Sequence, residues 1–384
     1  MKIDSRARFP MVLAFLLGGA LISPSPVLAS SPVDQAIQAG CTKRIVALGE
    51  LPSHGEARAF ASKAEIVRGL VERCNFKAVL FEAGQYEFSF LEKQSRAQHD
   101  FAVRLDGAIG RFWSVNELAD WRQWIARNNK KKGDLYVGGI DDQPSATSVL
   151  TRQKLPELLS HALPKGERAQ CRDAIARHLF WTYDDAHPYD APEKKRLLQC
   201  ATQARSTLSK GRSTGEDAAL ARAFANYVSR EADAADPGMR EQSMLETLQW
   251  HLGRLPEGSR VVIWTASVHA AKAQGGLPWE PLGAKLASLF GEDYMAVGFT
   301  ALSGVTAMAG RAPSALPALP AGSLEARALP ASDEAAYLGG SALLALDGSP
   351  SRLYGRIGSH PWSRHVDSVV VIREEIAPTA AASH

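Results

Sequence analysis

Residues 45–56 read IVALGELPSHGE. The apolar run 45–48 is short enough to be a fully buried strand. It stops at Gly49, and Glu50 and His54 follow on a turn rich in Gly, Pro and Ser. A carboxylate and an imidazole just past a buried strand stand where an open parallel α/β sheet places its ligands.

The same grammar repeats outward from this stretch. Residues 57–73 carry Phe60, Ile66, Val67, Leu70 and Val71 at helical spacing. Residues 78–81, AVLF, read as a second strand that ends at Glu82. A helical pattern over 115–128 leads to a third strand at 135–140, which ends at Asp141. Alternating strands and helices predict a mainly parallel central sheet flanked by helices, an α/β fold with right-handed crossovers. Residues 146–255 are polar and helical in pattern, and read as a helical insertion. Strands resume at 261–264, 295–299 and 366–372. Residues 309–332, rich in Ala, Pro and Gly, read as an extended surface loop, and the tail after Pro378 as disordered.

Residues 1–29 have the form of a secretory signal peptide. Lys2, Arg6 and Arg8 precede a short apolar run at 11–22, and Val27-Leu28-Ala29 supplies small residues for cleavage. The domain is then 30–384, working in the periplasm or outside the cell. The formal charge of +3 falls to about +1 on cleavage, which leaves no electrostatic footprint for nucleic acid. No further run is long enough to span a bilayer, so no membrane contact is expected after cleavage. Four cysteines allow three pairings. If the first two strands are neighbours, Cys41 and Cys74 lie at the same end of the sheet, which favours Cys41–Cys74 and Cys171–Cys200.

The strand ends carry the chemistry. Glu50, His54, Glu82, Asp141 and His269 all follow apolar runs, so adjacent strands would gather them on one rim. A histidine beside carboxylates is an arrangement for a general base. Glu50, His54, Glu82 and His269 also form a mixed donor set suited to Mn²⁺ or Zn²⁺, the basis for a metal-dependent hydrolase. A third reading is a non-catalytic pocket for a periplasmic small molecule or a haem-like ligand. His360 and His365, flanking Trp362, read as surface residues. A Gly-x-Ser-x-Gly elbow is absent from the sequence.

These residues resemble the erythromycin esterase-like hydrolases. The resemblance lies in Gly49-Glu50, His54-Gly55, Lys63 and Glu82, in Gly139-Ile140-Asp141-Asp142-Gln143, and in Arg240 with Met244 and Trp250. Residues 264–269, WTASVH, and 294–304 match as well, as does the final VDSVVVI. The resemblance implies an esterase that opens an ester or lactone of a small-molecule substrate by water attack, without a cofactor. His54 would be the general base, Glu50 and Glu82 its orienting partners, and His269 a group that stabilises the substrate oxygen. Lys63, Asp141 and Arg240 would bind substrate. The chain departs from the family pattern in three places. One extra residue separates Glu50 from His54, Ala266 replaces a histidine, and Lys63 replaces an arginine.

Overall fold

Every strand expected from the sequence forms. The computed structural model describes residues 30–94, 98–129, 135–145, 148–210, 215–232, 236, 238–308 and 311–380. The leader expected at 1–29 lies outside the described residues. The strands are β1 (Ile45–Glu50), β2 (Phe76–Gly84), β3 (Tyr136–Asp141), β4 (Arg260–Ala266), β5 (Tyr294–Thr306), β6 (Ala335–Gly339) and β7 (Ser368–Glu375). They lie in the order β3-β2-β4-β1-β5-β7-β6, and Ser314–Ala315 pairs with the far end of β5 as an eighth strand. Pairing is parallel throughout β3 to β7 and antiparallel where β6 closes the edge.

Helices cover both faces, as a parallel sheet requires. The helices α1 (Pro32–Gly40) and α2 (Ala57–Cys74) flank β1 in sequence. Then α3 (Gln85–Gln94), α4 (Gln98–Ile109) and α5 (Ala119–Asn128) lead to β3. Side chains alternate along β1: Val46 and Leu48 join one core with Phe60, Val67, Leu70, Phe81 and Trp264. Ile45 and Ala47 join the opposite core with Met244, Leu248, Ile263 and Leu282. The stripe on α2 buries Phe60, Lys63, Val67, Leu70 and Cys74. Asn75, left-handed at φ 59°, ends the helix and turns the chain into β2. At the other end of α2, the Glu375 carboxylate of β7 accepts the amides of Arg58 and Ala59 at 2.6 and 3.2 Å.

The insertion folds as α6 (Val149–His161), α7 (Arg168–Phe180), α8 (Ala191–Lys210), α9 (Gly215–Ala232) and α10 (Gly238–Arg254). The first four pack with α3 around Leu155, Leu159, Ile175, Leu197 and Phe224. The fifth leaves them, because its stripe of Met244, Leu245 and Leu248 belongs to the sheet's second core. After β4 come the four-residue α11 (Ser267–Ala270) and α12 (Leu282–Phe290).

Three expectations are corrected. The stretch 311–332 is not wholly an extended loop: Leu324–Ala328 is helical, with Leu324 and Glu325 fully buried. The tail is ordered to Ala380, since the Thr379 carbonyl accepts the Asn116 amide and Ala380 bridges to Val115. His365 is buried, not superficial, with Nδ1 2.8 Å from the Tyr354 hydroxyl.

Both disulfides form in the favoured pairing, Cys41–Cys74 and Cys171–Cys200. They are compatible with an oxidising compartment, and among the described residues no helix is long and apolar enough to cross a membrane. The first bond closes a separation of 33 residues across the starts of β1 and β2. Replacing Cys41 and Cys74 together by serine is expected to cost about 3–4 kcal/mol, read from urea unfolding midpoints.

Candidate active site

The sheet delivers the functional groups at one level. Leu48 and Phe81 both pair with Trp264, and Glu50 pairs with Ala266. Glu82, Thr265 and Glu50 therefore lie near the ends of three adjacent strands, side by side. Their side chains part company by strand alternation. Glu50 continues the face of Val46 and Leu48, whereas Glu82 continues the face of Leu80. The rim consequently holds two clusters, one above each core. Gly49 is required between them, since a Cβ there would lie 2.6 Å from the Cα of Ser267.

The first cluster is built on Glu50, which is fully buried. Its Oε2 accepts the ammonium of Lys63. Its Oε1 accepts the indole N–H of Trp113 at 2.8 Å and lies 2.8 Å from His54 Nδ1. A carboxylate can only accept, so Nδ1 carries the hydrogen and Nε2 is left as the nitrogen able to take a proton. Burial pushes the imidazole below its usual 6.5, against the pull of Glu82 and Glu56. His54 packs edge-on against Trp113 and beside Phe112, with ring centres 5.1 and 5.0 Å away. Phe112 is 38% exposed and forms an open apolar wall beside His54. The extra residue before His54 is taken up by a turn, with the His54 amide on the Leu51 carbonyl at 3.0 Å and His54 at φ 50°.

The second cluster is built on Glu82. Its Oε2 accepts the Thr265 hydroxyl at 2.7 Å and the Ala266 amide at 2.8 Å. Its Oε1 lies 3.0 Å from Arg240 Nη2 and 3.1 Å from His269 Nε2. Arg240 also donates to both oxygens of Asp141, at 2.6 Å in its shortest contact. His269 Nδ1 is 2.7 Å from Glu241 Oε1, and the other Glu241 oxygen accepts the Leu282 amide at 2.8 Å. Burial lowers the His269 imidazole, but Glu82 and Glu241 outweigh it and raise the group to about 9. Burial would raise Glu82, but His269 and Arg240 hold it well below the usual carboxylate range. The cluster thus offers a guanidinium and an imidazolium at the rim. Thr265 ties the two clusters together, since its carbonyl accepts Lys63 at 3.2 Å while its hydroxyl serves Glu82.

All seven sequence-derived residues stand at or under this rim. Lys63, expected to meet substrate, does not. It lies on the buried stripe of α2, fully enclosed, with its ammonium 4.3 Å above the Trp264 ring and held by Glu50. Asp141 is engaged with Arg240 and orients it. Trp113, Phe112, Thr265 and Glu241 escaped the sequence reading. Glu241 left a signal: it is an acid on the apolar stripe it shares with Met244 and Leu248. The expected metal set, Glu50, His54, Glu82 and His269, is divided between the two clusters. Glu50 already neutralises Lys63, and Glu82 neutralises Arg240. Among the described residues, no group of three His, Cys, Asp or Glu side chains is placed to hold a metal ion.

The profile of the erythromycin esterase family matches residues 71–367. The chain belongs to the erythromycin esterase family. An erythromycin esterase type II of Escherichia coli is 25% identical over 300 residues, covering 69% of this chain and 70% of that protein. A mutant of the erythromycin esterase EreC, solved in its open conformation, shares the fold with a TM-score of 0.63. Its identity is 17%, over 91% of this chain and 94% of that one. A succinoglycan biosynthesis protein superimposes with a TM-score of 0.67 at 14% identity, over 91% and 92% of the two chains. A Bacillus cereus protein gives the same TM-score at 16% identity, over 92% and 94%. Membership in this family points to hydrolase chemistry.

Two outcomes test the electrostatics. Lys63→Met strands a buried carboxylate and is expected to cost about 3–5 kcal/mol in urea unfolding. The raised His269 group stabilises the fold fully below about pH 6.5, and that contribution is lost as pH rises through about 9. Glu241→Gln should lower the His269 titration followed by NMR by about one unit or more and weaken this alkaline loss.

Proposed function

We propose that this protein is a secreted or periplasmic hydrolase that opens a carboxylic ester or lactone of a small molecule by His54-promoted attack of water. The observation that carries the reading is the 2.8 Å contact between His54 Nδ1 and Glu50, a carboxylate fixed in turn by Lys63 and Trp113. It holds the imidazole in the tautomer whose Nε2 accepts a proton.

In this reaction Nε2 takes one proton from water as the water oxygen forms a bond to the acyl carbon. Glu50 stabilises the resulting imidazolium. The carbonyl oxygen gains negative charge, which Arg240 and protonated His269 stabilise from the second cluster. The C–O bond to the alcohol then breaks, and His54 returns its proton to the leaving alkoxide. The products are an acid and an alcohol. Phe112 gives the apolar part of the substrate a surface beside the base.

Purified mature protein, assayed on a panel of macrolides and aryl esters with and without added metal, tests the proposal. His54→Ala should lower turnover by about 10²- to 10⁴-fold with an unchanged melting temperature. Turnover that survives in His54→Ala would sink it. Because the base must be unprotonated and its pKa lies below 6.5, the acid limb of kcat/KM should fall below pH 6.5.

A further inference from the structure

His54 is held in a conformation that L residues rarely adopt. At φ 50° it sits in the left-handed region, where a non-glycine residue costs roughly 1–2 kcal/mol. The Leu51 carbonyl alone gives the turn one hydrogen bond. The rest of the hold comes from Glu56, which is only 2% exposed. Its Oε1 accepts the hydroxyl of Ser53, the residue before His54. Its Oε2 accepts the amide of Gly55, the residue after His54, at 3.0 Å. The Thr306 hydroxyl bridges Glu56 Oε1, at 3.1 Å, and the Gly55 carbonyl, at 2.9 Å. The Ala307 amide reaches that same carbonyl at 3.1 Å. Gly55 is pressed so closely onto this strand end that a Cβ would lie 2.6 Å from the Ala307 carbonyl.

We propose that Glu56 is a positioning residue for His54. Its carboxylate grips the chain on both sides of the histidine, anchors the turn to the end of β5, and thereby aims Nδ1 at Glu50. Glu56 does not touch the substrate; it acts through the histidine. This rests on the reading of His54 as the base. It adds that the tautomer of the base depends on a carboxylate outside the Glu50 cluster. In Glu56→Ala, no side-chain oxygen is left to accept the Gly55 N–H or the Ser53 hydroxyl. The turn then relaxes and Nδ1 leaves Glu50.

The test is the imidazole tautomer of His54, read by long-range proton–nitrogen NMR, with its signals assigned by their loss in His54→Ala. Wild type should show the hydrogen on Nδ1. Folded Glu56→Ala should shift most of the population to the Nε2–H form that free imidazole prefers. Its kcat should fall about 10- to 100-fold with KM little changed. A merely structural role would lower the melting temperature and leave the tautomer alone. An unchanged tautomer in folded Glu56→Ala would therefore overturn the proposal. If that variant does not fold, Ser53→Ala removes one donor and keeps the carboxylate. A partial shift to Nε2–H would support the proposal, and an unchanged tautomer would overturn it. Wild type that hydrolyses nothing on the panel would count against the hydrolase reading while leaving the tautomer result to decide this one.

Discussion

The site depends on a buried charge and its counter-charge. Glu50 ends a strand that is buried along its whole length, so its carboxylate has no water to stabilise it. An isolated carboxylate there would be taken up as the neutral acid. Lys63 prevents this from beneath, and the indole of Trp113 adds a second donor. Only an ionised Glu50 can impose one tautomer on His54. The ion pair is thus less a source of stability than a device that fixes the state of His54.

Strand alternation then explains why the site has two halves. Glu50 and Glu82 end strands separated only by β4, but they point to opposite faces. Each meets a different helix: Glu50 meets α2 and Glu82 meets α10. The helices solve the same problem with the same device, since each carries a cation to its carboxylate. Lys63 is sealed in, whereas the Arg240 side chain is about a quarter exposed, at 26%. The sealed cation serves Glu50 and through it His54, and the exposed one faces the rim. In the proposed reaction this separates proton abstraction from stabilisation of the oxyanion across one row of strand ends, with Thr265 as the link.

Much of this was legible because buried parallel strands are uniform in the sequence. A run such as IVAL or VVIW admits little else, and the polar residue that ends it is conspicuous. That logic located Glu50, His54, Glu82, Asp141 and His269. It could not locate Trp113 or Thr306, whose neighbours in space lie far away in the chain. It also misjudged Lys63, although the spacing of Phe60, Lys63, Val67 and Leu70 places that lysine on the buried stripe. A charged residue on an apolar stripe marks a partner inside the core, and Glu241 obeys the same rule. Strand β6 was missed because an edge strand of AAYLG, half-exposed, lacks the dense apolar signature of the centre.

The departures from the family pattern bear on different links of this chain. The extra residue before His54 is absorbed by the left-handed turn, so the contact between His54 and Glu50 is kept. The lysine at 63 needs to supply only a point charge to one oxygen, a task that does not call for the fork of an arginine. Ala266 is another matter. Its methyl is buried and its amide is committed to Glu82. This position can therefore donate nothing to a substrate, and positive charge at the rim falls to Arg240 and His269. The raised His269 pKa keeps the ring charged, with Nδ1 on Glu241 and Nε2 donating to Glu82 at 3.1 Å. Glu82 and Glu241 raise it together, and Glu241 sits next to Arg240 in sequence, so one turn of α10 supplies both the guanidinium and one of the two acids that keep the imidazole charged.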